Sequence, residues 1–150
     1  MLHIGFYQLG EAGVNDAVLM LVQKAFGTGK KMLILCPNPA AAAIDDALWS
    51  HDQNSWLPHG LDTASGAELA SVWVSSDMTS NPIGADCVML LHGSEPDSWA
   101  GFERGFVVFD GKSDAQLQQA RSQWQKWKSR SETELAYFAQ TASGGWEKKA

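Results

Sequence analysis

Four residues near the end of the chain have types and spacing that could do chemistry together: Arg121, Trp124, Gln125 and Lys128 fall at i, i+3, i+4 and i+7. On a helix that spacing is a single stripe, so two cations would stand beside an indole and an amide. Such a stripe suits a short acidic peptide ending in a hydrophobic residue. The cations take carboxylates, the guanidinium in bidentate fashion, and an apolar pocket takes the side chain. The same pattern also describes an amphipathic helix with a basic outer face, and the stripe alone does not choose between them. A second cluster lies at Asp45-Asp46-Ala47-Leu48-Trp49 and Ser55-Trp56-Leu57-Pro58-His59-Gly60. Trp56, on a Pro- and Gly-containing loop, reads either as an interface anchor or as a loop residue folded onto a sheet edge.

Catalytic and cofactor signatures are weak. Gly27-Thr28-Gly29-Lys30-Lys31 is superficially a phosphate loop, but position 24 is Lys, position 31 is Lys, and the glycines lie between a helical pattern and a strand pattern rather than after a strand. The turn Leu9-Gly10-Glu11-Ala12-Gly13 has no G-x-G-x-x-G, which leaves dinucleotide binding poorly supported. His3, His51, His59 and His92 are scattered with no metal-ligand spacing, Asp45 and Asp46 would point about 100° apart on a helix, and no G-x-S-x-G is present. These features favour a binding protein with no metal and no cofactor over an enzyme. A nucleotide-binding Rossmann-like enzyme or regulator is the alternative.

The elements that must position these residues follow from periodicity. Leu2–Leu9 reads as a strand, Asn15–Phe26 as an amphipathic helix, Lys31–Cys36 as an uninterrupted apolar strand, and Ala40–Ser50 as a second helix. His51–Gly66, with Pro58 and two glycines, reads as a long loop. Leu69–Ser75, Ala85–Leu91 and Gly105–Phe109 read as further strands, with room for a short helix around Pro96–Phe102. Ser113–Ser129 is the strongest helix: Ser113 can cap it, Asp114 suits its first turn, and Leu117, Ala120 and Trp127 supply a buried side with Trp124 at the border. Leu135–Gln140 followed by Ser143-Gly144-Gly145 and Trp146 is either a strand and turn on the sheet or a tail that orders with a partner. Apolar strands without in/out alternation, separated by helices, predict a three-layer α/β Rossmann-like fold with a mainly parallel sheet flanked by helices.

Composition bounds the rest. The chain has 150 residues, 45% hydrophobic and 19% charged, which fits one folded domain over 1–150, with 132–150 a loosely packed C-terminal extension. No apolar run reaches the roughly 18 residues of a membrane span, and no basic stretch precedes an apolar one at the N-terminus, so a cytoplasmic protein is expected. Cys36 and Cys87 each sit in a strand-like run and read as reduced core thiols. The net charge of −6 argues against a general nucleic-acid binder. That total hides an asymmetry, since residues 1–111 carry −9 and residues 112–150 carry +3. An electropositive end on an acidic body suits an anionic partner at that end, although lysines on a solvated face would give the same count.

The order and spacing of several segments together resemble the chi subunit family of bacterial DNA polymerase III. They are the N-terminal strand with Phe6-Tyr7, Gly29-Lys30-Lys31-Met32-Leu33-Ile34, Asp46-Ala47-Leu48-Trp49, Trp56-Leu57-Pro58-His59-Gly60 and Ala120-Arg121. The resemblance implies a small non-catalytic subunit of Rossmann-like fold that pairs with psi in the clamp-loader assembly and grips the acidic, Phe-terminated tail of single-stranded-DNA-binding protein. It touches DNA only indirectly. By the same resemblance the tail site falls on Arg121, Trp124 and Gln125, with Lys128 one turn on, and the psi interface on Trp56 with Trp49 nearby. Gln125 is a departure, since a lysine stands at that position in a member of the family.

Overall fold

The computed structural model describes residues 2–10, 13, 17–18, 20–22, 29–37, 40, 43–44, 59–61, 72–79, 81, 83–143 and 145–150. Eight strands form one sheet: β1 (Leu2–Leu9), β2 (Met32–Leu35), β3 (His59–Leu61), β4 (Val72–Ser75), β5 (Cys87–Leu91), β6 (Arg104–Asp110), β7 (Thr133–Gln140) and β8 (Trp146–Lys148). Their order is β3-β4-β2-β5-β6-β1-β7-β8. Every neighbouring pair is parallel except β7 with β8.

All four residues of β2 and all five of β5 are buried, which is why neither segment alternates in sequence. Alternate side chains instead enter two cores, one on each sheet face. Met32 and Ile34 join Val18, Leu21, Val22 and Ile44 on one side, where 17–18, 20–22 and 43–44 are helical. Leu33 and Leu35 join Trp73, Trp99, Ala120 and Trp127 on the other, beneath α1 (Asp114–Trp127). The result is the expected three-layer α/β arrangement, with helical residues on both faces of a mainly parallel sheet.

Local chemistry sets the limits of α1. The Ser113 hydroxyl accepts from the Gln116 N–H at 3.3 Å and Asp114 occupies the first turn, both favourable at a helix N-terminus. The Lys128 N–H, donating to the Trp124 carbonyl, closes the last turn. Gly111, just upstream, is a close-approach position. Its N–H donates to the Leu9 carbonyl at 3.0 Å, and a Cβ there would come within 2.5 Å of that oxygen.

Two expectations require correction. Within His51–Gly66, read as loop throughout, His59–Leu61 forms an edge strand paired with β4. Three residues including a glycine carry no period of their own, and the strand is defined by the main-chain ladder offered by β4. The short helix around Pro96–Phe102 is absent. That segment is a series of turns in which the Asp97 N–H donates to the Met78 carbonyl and the Phe102 N–H to the Trp99 carbonyl. The turns bury Trp99, whose ring meets Trp127 edge-on at 5.2 Å. It also lies over Gly105, where a Cβ would be only 3.0 Å from the indole.

The C-terminal segment, open in sequence between strand and tail, forms β7 in register with β1 from Leu2–Thr133 to Gln8–Ala139, followed by the β7–β8 hairpin. Cys36 and Cys87 are buried free thiols, and burial pushes Cys36 up to about 11. Among the described residues no helix is long and apolar enough to cross a membrane.

Trp127 is 3% exposed and ties α1 to both Trp99 and Phe6. Trp127→Ala is therefore expected to cost about 3–5 kcal/mol in urea unfolding, the range for large-to-small changes in a close-packed core. A loss below about 1 kcal/mol would show that α1 is held by other contacts.

Candidate functional site

The rotation of α1 is decided by what it buries: Ala120, Gln123 and Trp127, at i, i+3 and i+7. Leu117, expected on the buried side, is half-buried. Gln123 was not in the apolar pattern, but its position between Ala120 and Trp127 is the signal that it faces inward. Its amide donates to the Ser94 carbonyl at 3.1 Å, which gives a buried polar group its partner.

With that face down, the structure brings all four sequence-predicted residues of the late helix onto one stripe. Arg121, Gln125 and Lys128 are exposed and Trp124 is half-buried at the border. The Trp124 ring meets Phe6 edge-on at 5.3 Å and Tyr137 at 6.0 Å, so the indole is fixed from beneath and from the side. The other cation of the helix, Lys126, leaves this stripe and pairs with Glu95 at 2.5 Å. Neither Arg121 nor Lys128 has an ion-pair partner among the described residues.

Tyr137 is the site residue that the sequence did not single out. The alternation Leu135, Tyr137, Ala139 in β7 puts it on the α1 face, where its ring stacks 6.5 Å from Phe6 and its hydroxyl donates to Gln8 Oε1. Burial raises its pKa, and the nearby Arg121 charge acts in the opposite direction. A fixed aromatic floor beside cations with no ion-pair partner among the described residues has the chemistry to take an anionic, partly apolar ligand.

The remaining candidates separate from this site. Trp49 and Trp56 lie outside the described residues, as do Gly27 and Thr28. Lys30 precedes β2 at the amino edge of the sheet and pairs with Glu103 at 2.6 Å, a contact that holds the Glu103 carboxyl below the usual range. Open α/β sheets place ligands at the opposite, carboxyl edge. Among the described residues no group of three or more His, Cys, Asp or Glu side chains could hold a metal ion.

The family model described as DNA polymerase III chi subunit, HolC, matches residues 1–133. The chain belongs to the DNA polymerase III chi subunit family. It is 29% identical over 114 residues to the DNA polymerase III subunit chi of Haemophilus influenzae, a match covering 75% of this chain and 78% of the relative. The chi-family match includes β1–β6 and all of α1 and ends at the first residue of β7, so Tyr137 and the hairpin lie beyond it.

Both tyrosines of the chain, Tyr7 and Tyr137, have pKa values raised above 10.0, mainly by burial. The native state therefore retains phenolic protons that the unfolded state has released. Stability is full below the unfolded value near pH 10 and falls as pH rises toward the native values. Phenolate absorbance in an alkaline titration is expected to lag behind that of the urea-unfolded chain. Coincident curves would contradict the packing described.

Proposed function

We propose that this chi-family chain is a non-catalytic accessory subunit of the bacterial DNA polymerase III clamp-loader assembly, active in the cytoplasm. In this reading it binds the acidic C-terminal tail of single-stranded-DNA-binding protein and links it to the replicase through psi. It contacts DNA only indirectly. The observation that carries the reading is the juxtaposition on α1 of exposed Arg121, which has no ion-pair partner among the described residues, with half-buried Trp124, the pairing of cation and aromatic that an acidic, Phe-terminated peptide requires. Lys128 supplies a second cation one turn on. Gln125, where a member of the family has a lysine, contributes an amide and no charge. Trp49 and Trp56 are proposed as the psi interface on the strength of the resemblance of their segments to the family. The acidic character of residues 1–111 supports confinement of an acidic partner to the α1 end, because the rest of the surface repels it.

Calorimetric titration with a synthetic acidic peptide ending in Pro-Phe tests the reading. Binding is expected with the intact peptide, to be lost when the terminal Phe is removed, and to weaken with added salt. Arg121→Ala is expected to weaken it by about 1.5–3 kcal/mol, the scale of a hydrogen bond to a charged group. Wild-type affinity in Arg121→Ala would remove the site from α1.

A further inference from the structure

The sheet continues beyond α1 and beyond the residues the family model matches. α1 lies against β6 and β7, on either side of β1, while β8 is one strand further out. Two strand spacings, about 10 Å, separate the centre of the helix from β8, and the helix, about 5 Å in radius, covers the first of them; the uncovered rim is about 5 Å, the main-chain spacing of one extended strand. The register identifies what faces this shelf. Tyr137 faces it from β7, and so does Ala139, which pairs with Glu147 of β8. Lys149 then follows on the same side: its ammonium is 3.2 Å from Glu147 Oε2, and its N–H donates to the Tyr137 carbonyl at 2.7 Å. Lys148, paired with Phe138, takes the opposite face. The contact of His3 Nδ1 with Glu134 Oε2 at 3.3 Å is also on that opposite face.

We infer that the C-terminal hairpin completes the groove whose first wall is α1: Tyr137 is its floor, and Lys149 is a further cation for an acidic peptide. The inference rests on the tail-binding reading and adds a residue to it. Glu147 occupies the Lys149 ammonium in the free protein, and both side chains are more than half exposed, at 51% and 61%. An exposed pair of this kind is worth only about 0–1 kcal/mol, so a carboxylate of the peptide can replace Glu147. The arriving chain lies over Tyr137 with cations on both sides, Arg121 and Lys128 from α1 and Lys149 from the rim. Glu147 is the acidic group that opposes it there.

This arrangement predicts effects of opposite sign from two surface substitutions of the intact protein, measured by titration with the acidic Pro-Phe peptide at low salt. Lys149→Ala is expected to weaken binding about three-fold, and Glu147→Gln, which releases Lys149, to tighten it about two-fold, the span of a single exposed ion pair. Unchanged affinity in both variants, or equal weakening in both, would overturn the inference while leaving the α1 site intact, provided Arg121→Ala still loses the peptide. Wild-type affinity in Arg121→Ala would instead remove the tail reading and this proposal with it.

Discussion

Phe6 is the contact on which the rest of the site depends. It lies in the first strand of the chain, yet it has Val107 of β6 on one side and Tyr137 of β7 on the other, and no exposed surface. Its ring touches Trp124, Trp127 and Tyr137 at centroid distances of 5.3, 6.0 and 6.5 Å. Each aromatic pair adds about 0.5–1.5 kcal/mol beyond the area it buries. Together they fix the rotation of α1 on the sheet and the orientation of the indole that borders the exposed stripe. A helix free to roll by one position would exchange Arg121 for a buried residue, so the exposed stripe is a consequence of the core beneath it.

Electrostatics then separates cations with a structural partner from those without one. Lys30 closes on Glu103, Lys126 on Glu95 and Lys149 on Glu147, whereas Arg121 and Lys128 are among the cations with no ion-pair partner among the described residues. The acidic excess lies in the first 111 residues, and residues 112–150, which include α1, carry a net +3. The layered α/β scaffold serves here to hold a helix face. That agrees with the general observation that function belongs to sites placed on folds and not to folds themselves.

Family membership covers the sheet through β6 and all of α1, whereas β7 and β8 extend past the matched residues. The extension is structurally continuous: β7 pairs with β1 along nearly its whole length, and the hairpin returns Lys149 to the carbonyl of Tyr137. Tyr137, which supports Trp124, therefore comes from outside the family-matched segment.

Much of this was legible without coordinates because it depends on local pattern. The uninterrupted apolar runs of β2 and β5 announced strands covered on both faces, and Ser113, Asp114 and the spacing through Trp127 announced α1 and its outward stripe. What needed the fold was everything decided by distant partners. β3 exists because β4 offers it a ladder. Pro96–Phe102 is a set of turns because Trp99 must reach Trp127. Gln123 is buried because a carbonyl 29 residues away accepts its amide. The position of β1 between β6 and β7 joins ends of the chain that no local period relates. The sequence by itself determined which residues could face outward on α1. Only the tertiary structure decided that Phe6 and Tyr137 would lie beneath and beside them, because side-chain periodicity records the face a residue takes and not the neighbour it meets there.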